Sequence, residues 1–122
     1  MEKDKLREMS LLRKKAHATM LKKRSKVYEA FLKMEEATYR EGELGSKVKE
    51  LIAIGISVVI NCESCMQWHI EQSAGKGATE KEIMEDIEVG MEMGGGPATA
   101  HARFALDVLE SLDFKNEMKR YP

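Results

Sequence analysis

The chain has 122 residues, 43% hydrophobic and 34% charged, which describes one globular domain and excludes a disordered tail. At this length folding removes roughly 65% of the surface that the unfolded chain exposes, enough for a single core. The near-neutral net charge of -1, the absence of any run of 18 apolar residues and the polar start Met1-Glu2-Lys3-Asp4-Lys5 give the expectation of a soluble, cytoplasmic protein that neither spans nor binds a membrane.

The first element is a basic arm. Between Met1 and Lys26 ten Lys and Arg face three Asp and Glu, a local net of +7, while the remainder carries -8. Leu6, Met9, Leu12, Ala16 and Met20 recur at helical spacing on this arm. It has no aromatic residue to stack on bases, so a solvated basic face is favoured over a nucleic-acid site. The arm is expected to span 1–24, with the helical domain proper at 25–122. Ser25 is a cap for a second helix, on which Val27, Phe31 and Met34 share a face. Gly42 and Gly45 break the chain into a loop. Ser46 to Ile60 then reads as a helix buried on all sides, because Leu51 to Ile60 leaves almost no polar position. A fourth helix is expected from a cap at Asn61 to about Gly75. Thr79 and Glu82 form a capping box for a fifth, with Ile83, Met84, Ile87 and Met91 inward. Gly94-Gly95-Gly96 stops it, and Pro97 opens a sixth, packed through Ala105, Val108, Leu109 and Leu112. The expected fold is all-α, about six helices.

Both cysteines fall in Cys62-Glu63-Ser64-Cys65, four residues before His69. On a helix, positions 62, 65 and 69 form one stripe, and the unpaired N–H groups of a helix start favour a thiolate there. A thiolate is the nucleophile of both peroxide reduction and disulfide exchange. The stripe thus offers a nucleophile, a resolving thiol and an acid/base. Other readings are two buried core thiols or a zinc site on Cys62, Cys65 and His69, whose fourth ligand could come from Glu50, another subunit or water. Glu50 lies twelve residues before Cys62, at the edge of the apolar run, where partial burial and a shifted pKa are expected. His17 and His101 read as structural or surface residues, and Trp68 as a core or subunit contact.

Glu50 followed by Cys62-x-x-Cys65-x-x-x-His69 resembles the signature of the alkyl hydroperoxidase D-like proteins of the carboxymuconolactone decarboxylase family. Met93-Gly94-Gly95-Gly96-Pro97-Ala98 is similar to that family's glycine-rich turn. The resemblance covers roughly Val27 to Leu112. It implies an all-helical subunit that forms trimers or hexamers and needs neither a cofactor nor a metal. It implies a peroxidase in which Cys65 attacks the hydroperoxide, Cys62 resolves the sulfenic acid, and His69 and Glu50 relay protons. The partners implied are a hydroperoxide and a dithiol, thioredoxin-like or lipoyl-type reductant. Ser64 stands where alkyl hydroperoxidase D itself has a second histidine. A lactone decarboxylase of the same family is the alternative enzyme, although such enzymes usually lack the cysteine pair. A metal-binding or redox-sensing module on the same cysteines is the alternative outside catalysis.

Overall fold

Capping side chains and two left-handed residues divide the chain into helices. A computed structural model describes residues 2–114 and contains, among them, five helices: α1 (Lys3–Lys22), α2 (Lys26–Tyr39), α3 (Ser46–Ile60), α4 (Glu63–Gly75) and α5 (Glu80–Ser111). The expected domain end at residue 122 lies outside the described residues. Ser25 starts α2 by accepting from the Tyr28 N–H, and Arg24 turns the corner from α1 in a left-handed conformation. Thr79 and Glu82 form the reciprocal box at the start of α5. The loop before α3 is held by Glu41, which accepts from the Ser46 N–H, and by Lys49, which donates to the Arg40 carbonyl.

One expectation about boundaries needs correction. Asn61 does not cap α4. It closes α3 in the left-handed region (φ 58°), and the Cys62 N–H turns back to the Ser57 carbonyl at 3.0 Å. Asparagine tolerates that conformation, which is why it ends one helix here instead of starting the next. The cap of α4 is Cys62 itself. The break expected at Gly94-Gly95-Gly96 is present: Gly95 is non-helical (φ 73°), and α5 is two helical segments joined across this kink, with Pro97 in the first turn of the second. A glycine supplies the positive φ and a proline tolerates the turn after it, so the chain bends without a loop.

The core lies where α3, α4 and α5 meet. Ile54 and Val58 of α3, Met66 and Ile70 of α4, and Ile83, Ile87, Ala105 and Val108 of α5 are fully or almost fully buried. Aliphatic and methionine side chains fill most of this space, as the scarcity of aromatics requires, with Phe104 the aromatic among its buried members. The α3 and α5 backbones approach closely at Gly90, where a Cβ would stand 2.8 Å from the Gly55 carbonyl oxygen. In front of this core, α1 lies on α4: Leu6 is buried, its carbonyl accepts from Gln67 at 2.9 Å, and Arg13 reaches Gln67, Glu71 and the face of Trp68.

The reading of α3 as buried on every side does not hold in the single chain. Glu50, Ile54, Ser57 and Val58 face inward, but Ile56 is 55% and Ile60 63% exposed. A domain of this size has one core, and α4 and α5 cover only part of a helix's circumference. The expected face of α2 is likewise open, with Val27 82% exposed.

Candidate active site at the start of α4

The Schellman-like turn at Asn61 joins the end of α3 directly to the start of α4 and brings the two cysteines to the helix's first turn. Cys62 is the cap residue, its sulfur accepting from the Cys65 N–H at 3.2 Å. The two sulfurs are joined as a disulfide, with Cα atoms 5.2 Å apart, well within the reach that such a bridge needs. Both cysteines are partly accessible. The backbone N–H groups of this turn have no helical partners of their own, so a negative charge on either sulfur is favoured here. Asn61 and Glu63, on either side of Cys62, also line a shallow hollow with His101, Arg103, Phe104 and Asp107.

One turn beyond Cys65, His69 hydrogen-bonds Glu50 of α3, Nδ1 to Oε2, at 2.6 Å. Glu50 is only 2% exposed. Burial alone pushes its carboxyl upward, but hydrogen bonds from His69 and Lys76 and their charges outweigh this, and the carboxyl ends below its ordinary value. An ionised carboxylate has no proton to give, so Nδ1 donates and leaves Nε2 of a neutral ring as the acceptor. Glu50 and His69 are thus brought into contact from α3 and α4, and Cys62 is joined to Cys65 at the start of α4, one turn before His69. Among the described residues no three His, Cys, Asp or Glu side chains are gathered to hold a metal ion, and the two sulfurs are bonded to each other. His101 donates from Nδ1 to the Val58 carbonyl at 2.8 Å and His17 pairs with Tyr28, in keeping with structural roles.

Two further side chains close the site and were not anticipated. Lys76, at the end of α4, donates to the other oxygen of Glu50 at 3.0 Å. Its sequence signal was available, since it follows His69 by seven residues, two turns along the same face. Tyr39, the last residue of α2, lays its ring 5.1 Å from that of His69 and under the Lys76 ammonium at 6.0 Å. Burial, then the negative charges of Glu50 and Glu35, raise the Tyr39 hydroxyl above its ordinary value, so it remains a neutral phenol. Nothing in the sequence around Tyr39 distinguishes it from any other aromatic at a helix end.

A family model described as carboxymuconolactone decarboxylase family matches residues 25–108. An uncharacterized protein in the cox locus of Paracoccus denitrificans is 39% identical over 85 residues, which is 70% of this chain and 77% of that protein. The crystal structure of lpg0406, a carboxymuconolactone decarboxylase family protein from Legionella pneumophila, superposes with a TM-score of 0.82 at 29% identity, covering 88% of this chain and 96% of that one. The TM1620 protein of Thermotoga maritima superposes with a TM-score of 0.79 at 27% identity, over 94% of this chain and 98% of that one. A second structure of TM1620 gives 0.68 at 30% identity, over 80% and 98%; it is described as a member of the same family for which involvement in the antioxidative response has been suggested.

Proposed function

The chain belongs to the carboxymuconolactone decarboxylase family, and we propose that within it this protein is a thiol-dependent peroxidase that reduces hydroperoxides through Cys62 and Cys65. One observation carries the reading. A sulfur pair able to close as a disulfide stands at a helix start, on the same stripe as an imidazole bonded to a buried carboxylate. The suggestion of an antioxidative role for the Thermotoga maritima relative points the same way.

The chemistry balances without a cofactor. The Cys65 thiolate attacks the terminal oxygen of ROOH, the O–O bond breaks, and the leaving alkoxide takes a proton to depart as ROH. Cys65 is left as a sulfenic acid. The Cys62 thiolate then attacks that sulfur and expels hydroxide, which leaves as water once protonated, and the Cys62–Cys65 disulfide forms. A dithiol reductant, free or on a thioredoxin-like or lipoyl protein, reopens it by exchange and becomes a disulfide itself. His69 takes the thiol proton at Nε2 and returns it to the leaving oxygen, while Glu50 holds the ring and balances the imidazolium charge. In a trimer or hexamer of this chain the open apolar faces of α2 and α3 are the surface available for burial.

The test is hydroperoxide consumption with each class of reductant in turn. Wild-type protein should consume peroxide with at least one of them. Cys62→Ser should trap sulfenic acid on Cys65, and Cys65→Ser should trap little on Cys62. No consumption with any reductant, or sulfenic acid mainly on Cys62, would overturn the reading or its assignment of the two cysteines.

A further inference from the structure

Glu50 presents two oxygens to the interior, and His69 uses only one of them. The second would be a buried carboxylate oxygen without a partner were it not for Lys76, whose Nζ stands 3.0 Å from Oε1. The two contacts come from the same helix, two turns apart, so α4 grips the carboxylate from both sides. The neighbouring cations of α3 are engaged elsewhere, Lys47 with Glu82 and Lys49 with the Arg40 carbonyl. On the α2 side the group nearest the dyad is the neutral Tyr39, whose ring lies against both His69 and Lys76. Among the described residues, Lys76 is therefore the cation that faces Glu50 beside His69.

We propose that Lys76 is a positioning residue of this site: its ammonium holds the second oxygen of Glu50, so that the carboxylate stays ionised and keeps its first oxygen on His69 Nδ1. The inference rests on the peroxidase reading for its consequence in turnover, but not for the ion pair itself. Physically, a buried carboxyl facing an imidazole alone has two ways to lower its charge. It can take the Nδ1 proton of the imidazolium, which leaves the ring protonated at Nε2, or it can protonate from solvent. Either leaves His69 without its anion and spoils the tautomer whose Nε2 is free to accept a thiol proton. An ammonium at 3.0 Å opposes both, because an opposite charge within about 4–6 Å favours the ionised carboxyl. The ring of Tyr39 beneath the ammonium limits how far Lys76 can swing.

The measurement that decides the matter needs no turnover. In protein labelled with 13C at glutamate carboxyls, the Glu50 resonance should titrate at least about one pH unit higher in Lys76→Met than in wild type. Lys76→Arg, which keeps the charge and roughly the reach, should restore it. Lys76 is partly exposed, so both variants should fold; Lys76→Gln, a polar residue without the charge, is the second neutral variant and should behave as Met does. An unchanged Glu50 titration in the neutral variants overturns the proposal. In parallel, the acid limb of peroxide reduction should move up by the same interval, costing up to about tenfold at pH values below the ordinary carboxylate range and little at pH 8. If wild-type protein reduces no peroxide while the Glu50 titration still shifts, the peroxidase reading fails and the assignment of Lys76 stands.

Discussion

Glu50, on α3, and Asp86, set against α3 from α5, are both carboxylates, and their fates are opposite. Glu50 is the more deeply buried, yet both its oxygens have partners and its carboxyl lies below the ordinary value. Asp86, on α5 at the close approach to Gly55, has one oxygen near that backbone and the other, Oδ2, buried without a partner. Burial pushes it up to about 7, and the backbone contact from Gly55 only partly opposes this. Burial depth does not decide whether an acid is held as an anion; the number of donors brought to it does. At Glu50 one helix supplies two donors, an imidazole N–H and an ammonium. At Asp86 the facing surface is glycine and apolar side chain.

The comparison can be broken at its stronger end first. Glu50→Gln keeps the shape and removes the anion, so hydroperoxide reduction near neutral pH should fall by about 10²–10⁴-fold with the far-ultraviolet spectrum unchanged. Activity within a fewfold of wild type would reduce Glu50 to a structural carboxylate. Next in size is the helix crossing beside Asp86. Gly90→Ala places a methyl 2.8 Å from the Gly55 carbonyl oxygen and against Val58, and should destabilise the fold by about 1–3 kcal/mol in chemical denaturation. An unaltered midpoint would mean that α3 and α5 separate at little cost.

The smallest effect concerns Asp86 and has a definite sign. Its folded carboxyl is raised towards 7, so between roughly pH 4 and 7 the native state keeps a proton that the unfolded chain has lost. Stability from this group therefore falls as pH rises through that window and is flat above it. Asp86→Asn should remove that slope and stabilise the protein at pH 8. After discounting for solvent screening of a partly accessible group, the gain is about 1–2 kcal/mol. Glu50 works in the other direction. Its lowered carboxyl adds stability that is present above the ordinary carboxylate range and is lost only as pH falls through the folded value. Thermal melts of the Asn variant that kept the wild-type slope between pH 5 and 8 would place the titrating group elsewhere.

Why the sequence revealed one of these acids and not the other follows from their surroundings. Glu50 stands at the edge of an apolar run and at a fixed distance from a cysteine pair, and both features are visible in one dimension. Asp86 sits among Glu80, Glu82, Glu85 and Glu88, a pattern that reads as a solvated face; its burial depends on two glycines that let α3 and α5 touch. The caps at Ser25 and Thr79 were legible because they rest on contacts within four residues. Asn61 was misread because a left-handed asparagine that ends a helix and an extended one that begins the next look alike in sequence. The open face of α2 was not legible, since periodicity says which residues share a side and not whether the same chain has enough helices to cover it; that of α3 was, because a helix apolar all round is hard to bury in so small a domain. Lys76 was missed for a different reason: a lysine beside a glycine at a helix end ordinarily serves the helix's own last carbonyls.

The cap at Cys62 has one more consequence. The sulfur that accepts the Cys65 N–H is also half of the redox pair, so the order of the helix's first turn and the oxidation state of the pair are a single variable. A thiolate accepts a hydrogen bond more strongly than a disulfide sulfur does. Opening the bridge therefore tightens the cap at the moment it releases the cross-link, and the reduced form gains what the oxidised form cannot use. Any contact that favours the thiolate favours the dithiol state and makes the bridge a readier electron acceptor. In this chain that bias comes from a peptide N–H, present whatever side chains surround it.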